Sequence, residues 1–562
     1  MRKVYISSAS FLMLCISIVL LSAGGSRLIE SDSGKVLIHE AEVESYEGFF
    51  YMGKLFRPLE ARSDNQRPAV LLIGGNGTHG NALTSLATEL SRRGIVALII
   101  DDYGQNNTLP EDPTFHTENA ADAGYTFLQT RTFVRPGKIG VAAFSSAAAE
   151  ILEADKVSGF NAVILVSPPA VTAEQSDSIN NLLLVVPKFD EYGFTHNSYF
   201  STNTNQSFSN LCQPAVIHRM SPYNSGTIKI ILDWFNQKLK IENDSPLWFN
   251  SSKQIYPYLL LCNILCFLFL VISLIPLQNI FYSNSKNKSG SPFNEETTTA
   301  KFNNDHFSWA ETFGFIILGT ILYLLSSFCE IKGKSIPFLN RYEGISSLSE
   351  WFCIITITFI LRFILKRKFH PNSVQIGASH FIFKELFFNL TSLAYFYGFT
   401  WFLIFLIKVN PVSVSGSIKL IDSFRLPGFL FLTFLFTMFF YFLVLFTNKF
   451  RKKDYFICIL SGLGGLFFYC LIAYLPLFLT GTEGWHLIME KLPFMKDHTA
   501  VNYIFENYVL GMNAENSLYG SIAVSFLLII QNRLLKFASK LSASFLCGTI
   551  MALILISETI IH

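Results

Sequence analysis

Residues Lys138 to Glu150 read KIGVAAFSSAAAE, and the rest of the chain is organised around this stretch. Lys138 to Ala143 has strand character, Phe144-Ser145-Ser146 reads as a turn, and Ala147-Ala148-Ala149 as a small-residue helix start. A serine on a sharp strand-to-helix turn holds its hydroxyl clear of the sheet. Backbone N–H groups at the following helix start are then placed to stabilise an oxyanion.

Working outward, the elements on either side read as scaffold. VLIHEAEVES and GFFYMGKLF, within residues 36–57, alternate as two strands closed by Arg57-Pro58. PAVLLIGGNGTHG (Pro68 to Gly80) is a buried-type strand ending in a glycine-rich turn. The helix NALTSLATELSRRG follows, with Leu83, Leu86 and Leu90 spaced for one apolar face. IVALIIDDYG is another buried strand, and a helix is expected over Glu118 to Thr130. Beyond the serine turn, NAVILVSPP and NLLLVVPKFD are two more buried strands, and a short AVI strand leads to His218. The helix GTIKIILDWFNQKL closes the unit. Strands alternating with helices in this way predict a mostly parallel sheet covered on both faces.

Composition divides the chain. Half of the residues are hydrophobic and 15% charged, too apolar for a fully soluble protein and too mixed for one that is membrane throughout. Residues 26–250 look globular, whereas 255–562 is dense in Phe, Leu and Ile. The net charge of +2 comes with no basic face interleaved with aromatics in the N-terminal half, so nothing points to nucleic acid. Of nine cysteines only Cys212 lies in the globular part, which rules out a disulfide framework there.

Arg2 and Lys3 precede an apolar run from Ala9 to Ala23, a signal peptide or a signal anchor within residues 1–25. The globular domain is then 26–241 and a linker 242–254, followed by a multi-pass, all-α transmembrane domain over 255–562. About eight spans are expected, near 255–281, 309–328, 350–365, 388–407, 427–447, 455–479, 518–532 and 541–560. The basic clusters Lys366-Arg367-Lys368 and Arg451-Lys452-Lys453 fall on the same side as Arg2 and Lys3, which puts the globular domain outside the cytoplasm. The spans carry almost no ionisable residue at their centres, unlike most transporters and pumps. His486 and Glu490, four apart with His498 nearby, are read as a solvated loop face and not as a metal site.

The order strand, glycine-rich turn, helix, strand, serine turn resembles the α/β-hydrolase superfamily, closest to its dienelactone-hydrolase-like and small esterase branch. The resemblance covers roughly residues 36–241. It implies the α/β-hydrolase fold and a nucleophile in G-x-S-x-G, which here reads Ala143-Phe144-Ser145-Ser146-Ala147, with alanine at both glycine positions. The family's chain order of serine, carboxylate, histidine makes Ser145 the nucleophile, Asp190 the acid and His218 the base. Ser146, Glu191 and His196 are the respective competitors. The oxyanion donors would be the backbone N–H groups of Ser146 and of Asn76 in Gly74-Gly75-Asn76-Gly77. With only about a dozen loop residues between the strands at Asn161 and Asn181, there is no room for a helical cap.

The resemblance implies a serine hydrolase acting on a small-molecule or lipid ester or thioester, with no cofactor or metal implied, and the apolar half, which resembles no family, places it in the lipid bilayer as a membrane-bound protein. Two alternatives stand beside it. One is an acyltransferase using the same serine; the other is a catalytically inactive hydrolase-fold domain that binds for the membrane region.

Overall fold

The computed structural model describes residues 7–44, 50–75, 80–100, 118–152, 154, 156–168, 179–190, 210–241, 247–289, 342–343, 383–407, 425–446 and 538–557, with isolated positions at 353–368, 479, 524–535 and 560–561.

The strands β1 (Val36–Glu44), β2 (Phe50–Pro58), β3 (Arg67–Gly74), β4 (Val96–Ile100), β5 (Val134–Phe144), β6 (Ala162–Val166), β7 (Leu182–Val185) and β8 (Leu211–Cys212) form one eight-stranded sheet. Its order is β1-β2-β4-β3-β5-β6-β7-β8. β1 and β2 pair antiparallel, β2 runs antiparallel to β4, and every other neighbouring pair is parallel.

The near-continuous apolar runs in the strands have a simple cause: both faces are covered. Along β3, Ala69, Leu71 and Ile73 pack into one core while Val70 and Leu72 pack into the other. β4 and β5 divide in the same period of two. Helices α3 (Glu118–Gln129) and α4 (Ser146–Ile151) cover the first face, through residues such as Ala120, Leu128, Ala147 and Ile151. Helices α2 (Gly80–Ser91) and α5 (Ser225–Leu239) cover the second, through Leu83, Leu86, Leu90, Ile228, Ile231 and Phe235.

Two expectations shift. The serine-bearing strand begins at Val134, earlier than Lys138. The short strand expected at Ala215–Ile217 lies instead at Leu211–Cys212. Pro214 has no N–H, and the Val216 N–H turns back to donate to the Pro214 carbonyl (2.9 Å), so only Ile217 makes a bridge, to Phe189.

The N-terminal helix α1 (Ser8–Glu30) runs past the expected boundary at residue 25 and packs antiparallel on α6 (Tyr256–Ile272). Ser26 Oγ donates to Asn263 Oδ1 at one end (2.7 Å), and Asn279 Nδ2 donates to Ser8 Oγ at the other (2.7 Å). Asn279 belongs to α7 (Leu274–Ser289), which continues almost directly from α6. The helices α8 (Phe383–Phe402), α9 (Arg425–Phe446) and α10 (Lys540–Ser557) complete the described apolar part. Asn389 of α8 donates to Ser542 of α10 (2.9 Å), and Gln278 of α7 to Ser392 of α8 (2.7 Å).

Among the described residues two helices are long and apolar enough to cross a membrane, Ser8–Glu30 (23 residues) and Tyr256–Ser283 (28 residues). Leu426–Phe442 and Lys540–Leu553 are shorter apolar helices. The spans expected at 309–328 and, but for Leu479, 455–479 lie outside the described residues, as does the His486/Glu490 loop.

The segment joining the two halves is pinned at its distal end. Arg93, at the end of α2, donates to the carbonyls of Phe249 (3.2 Å), Asn250 (3.1 Å) and Lys253 (3.0 Å) and lies over the Phe249 ring. Its ion pair with Glu89 is fully buried (2.6 Å). Burial lowers the proton affinity of the Arg93 guanidinium, and the Glu89 carboxylate opposes that shift.

Candidate active site

The sheet reverses its winding at β3: the chain goes to β4 on one side and then crosses to β5 on the other. The carboxyl ends of β3 and β5 therefore open a crevice at the topological switch point, the usual ligand position in an open α/β sheet.

At the end of β5 the backbone turns on Ser145, whose φ is +56°. A non-glycine residue in the left-handed region is strained, and such strain persists only where the surroundings fix it. Here the Ser145 N–H donates to the Val166 carbonyl (2.9 Å), and the Ala148 N–H to the Ser145 carbonyl (3.0 Å), so the turn is tied to β6 and to α4. Ala143 and Ala147 are both buried in the first core, so the elbow closes with methyl groups at the two positions where the G-x-S-x-G pattern has glycine. One strand over, Ser167 repeats the conformation with φ +51° and is 2% exposed. Nothing in the sequence marks it.

Asp190 and His218 are brought side by side by parallel pairing after β7. The Lys188 N–H donates to the Pro214 carbonyl (2.8 Å), the Phe189 N–H to the Val216 carbonyl (3.2 Å), and Phe189 bridges Ile217. The next residues in register are Asp190 and His218. His218 opens a 3-10 helix that runs to Tyr223.

The side chains of the three residues meet. His218 Nε2 lies 3.0 Å from Ser145 Oγ. His218 Nδ1 lies 3.2 Å and 3.1 Å from the two Asp190 carboxylate oxygens. Asp190 is fully buried and His218 is 6% exposed. A carboxylate only accepts, so Nδ1 carries the proton and Nε2 presents its lone pair to the Ser145 hydroxyl. That arrangement can take a proton from the serine and hold the resulting imidazolium against a buried anion.

The loop after β3 presses on the elbow from the other side. A Cβ on Gly75 would stand 2.6 Å from the Phe144 carbonyl oxygen, 2.6 Å from Ser146 N and 2.4 Å from Ser146 Oγ. Only glycine permits this approach. Ser146 is thus the first residue of α4, with its amide under the Gly75 backbone. Asn76, Glu191 and His196 lie outside the described residues.

Comparison with known proteins adds the following. No protein-family model matches the chain, and no curated protein matches it. Among solved structures it is similar to an esterase of Pyrococcus furiosus, at 13% identity and TM-score 0.29, over 38% of this chain and 95% of the esterase. It is similar to an alpha/beta hydrolase of Penicillium sp., at 12% identity and TM-score 0.28, over 36% of this chain and 99% of that one. A putative dipeptidyl aminopeptidase IV of Bacteroides ovatus is similar at 15% identity and TM-score 0.28, over 36% of each chain.

Proposed function

We propose that this chain is a membrane-bound serine hydrolase of the α/β-hydrolase type that cleaves an ester or thioester through an acyl-enzyme. The observation that carries the reading is the continuous relay from Ser145 Oγ through His218 to the buried Asp190, at 3.0 Å and 3.1 Å. In this reading Ser145 Oγ attacks the acyl carbon while His218 Nε2 takes its proton. The negative charge develops on the former carbonyl oxygen and is met by the N–H groups of Ser146 and Asn76. Collapse expels the alcohol or thiol, which leaves with the proton held on Nε2. Water then enters by the reverse sequence, giving up a proton to Nε2, and frees the acid and Ser145.

A lipid-derived substrate is favoured by where the site stands. The helix carrying His218 ends at Tyr223, whose carbonyl accepts a hydrogen bond from Tyr256, the first residue of an apolar helix long enough to cross a bilayer. That helix exposes Tyr258, Leu261 and Ile264, and α1 beside it exposes Met13, Leu14 and Leu21. Apolar side chains facing outward all along a helix pair favour lipid as their surroundings. With its 23 residues α1 is about 35 Å long, enough for a hydrocarbon core of about 30 Å. The helices α8, α9 and α10 extend this anchor in a multi-pass domain, and the basic clusters favour an extracytoplasmic hydrolase domain.

The test is hydrolysis of p-nitrophenyl esters of increasing acyl length by the full chain in proteoliposomes. Turnover is expected, with Ser145→Ala at least about 10³-fold slower. Equal rates in wild type and Ser145→Ala would refute the reading. Acyl transfer to an added alcohol in place of acid release would favour the acyltransferase alternative.

A further inference from the structure

The 3-10 helix that begins with His218 is gripped by the first residue of the membrane-type helix α6. Tyr256 is 3% exposed and packs in the second core of the globular domain, although it opens the apolar half. Its Oη donates to the carbonyl of Tyr223, the last residue of the His218 helix. Two residues earlier, Gln254 Nε2 donates to the carbonyl of Ser225 (2.9 Å), where α5 starts.

The start of α6 is itself immobilised. The N–H groups of Ile255 and Tyr256 donate to Glu89 Oε1 at 2.6 Å and 3.1 Å, so a carboxylate of the globular domain caps the helix. The other Glu89 oxygen accepts from Arg93 (2.6 Å) and Arg92 (2.9 Å). A 3-10 helix has poor hydrogen-bond geometry, and Pro222 inside this one removes a donor. Its position therefore depends on what is tied to it. At a rise of about 2 Å per residue, His218 stands roughly 10 Å from the Tyr223 anchor.

We propose that Tyr256 is a positioning residue for the His218 base. By fastening the Tyr223 carbonyl to α6, beside the bond from Ser85 Oγ of α2 to the Pro222 carbonyl (2.9 Å), it helps to set the 3-10 helix, and through it the 3.0 Å approach of His218 Nε2 to Ser145. The seating of a membrane helix thereby sets the reactivity of the serine. This rests on the hydrolase reading above.

The experiment uses the full chain in proteoliposomes and compares wild type, Tyr256→Phe, Tyr258→Phe and Ser145→Ala. It reads the rate constant and the final stoichiometry of fluorophosphonate labelling, and kcat and KM on a short p-nitrophenyl ester. Tyr256→Phe keeps the ring and loses only the donor. Its rate constant and kcat are expected to fall about 10-fold, with full stoichiometry and unchanged KM. Tyr258→Phe, on the exposed side of the same helix, is expected to behave as wild type. An unchanged rate constant in Tyr256→Phe overturns the proposal, as does a loss of stoichiometry with the remaining fraction reacting at the wild-type rate. If Tyr256→Phe does not fold, Gln254→Ala decides: a fall of about 3-fold at full stoichiometry supports the proposal, and no change overturns it. No labelling of wild type, or equal labelling of Ser145→Ala, instead overturns the hydrolase reading, and this inference falls with it.

Discussion

Gly75 lies so close to Ser146 that a Cβ on it would stand 2.6 Å from the Ser146 amide nitrogen. The two residues lie on the loop after β3 and at the start of α4, beside the Ser145 elbow. Gly75→Ala must push the loop or the elbow apart. Because two of the atoms it would meet are backbone, a rotamer change cannot relieve it. Ester hydrolysis is expected to fall by about 10² or more, comparable to losing an oxyanion donor. Steady-state kinetics on the variant in proteoliposomes checks this, with near-wild-type turnover as the contrary result.

Asp190 accepts from Nδ1 of His218 with both oxygens while fully buried. Asp190→Asn keeps the shape but can donate to Nδ1, which favours the tautomer with the proton on Nε2. That proton faces Ser145 and blocks its activation. A loss in kcat of about 10⁴ is expected. Measured kcat within a factor of ten of wild type would exclude Asp190 from the relay.

Glu89 serves four partners at once: Arg92, Arg93 and the amides of Ile255 and Tyr256 at the start of α6. Glu89→Ala leaves the Arg93 guanidinium buried without its carboxylate and uncaps α6. The expected loss of stability is about 3–5 kcal/mol. Glu89→Gln retains an acceptor for the amides and should lose less. Unfolding of the detergent-solubilised chain, followed by intrinsic fluorescence, ranks the two variants.

A Cβ on Gly25 would lie 3.4 Å from Cys262 Sγ across the α1–α6 contact. Gly25→Cys is therefore expected to form a disulfide with the native Cys262 under mild oxidation, and not in a Cys262→Ala background. Non-reducing peptide mapping detects the link. Its formation also requires α1 to be retained in the mature protein.

Much of this was legible in the sequence, for identifiable reasons. The buried strands announce themselves as apolar runs because both sheet faces are covered, and the elbow shows as a strand that stops dead at Phe144-Ser145-Ser146. Ser145, Asp190 and His218 were picked out through the resemblance, whose chain order of serine, carboxylate and histidine they follow. What was not legible depends on distance in sequence. Leu21 to Gly25 reads as a region where a signal peptide could end, yet the helix continues to Glu30. Nothing near Glu89 and Arg93 in the sequence reveals that residues 249–256 fold over them. Ala215–Ile217 reads as a strand because its residues are apolar, but the turn at Pro214 reduces the pairing to one bridge, Ile217 to Phe189.

The most direct measurement is the site of covalent modification by a fluorophosphonate in the full chain reconstituted in proteoliposomes, located by peptide mass spectrometry. The account predicts a single adduct on Ser145, lost in Ser145→Ala and retained in Ser146→Ala. A folded wild type that takes no label, or an adduct on Ser146 that survives Ser145→Ala, would contradict it.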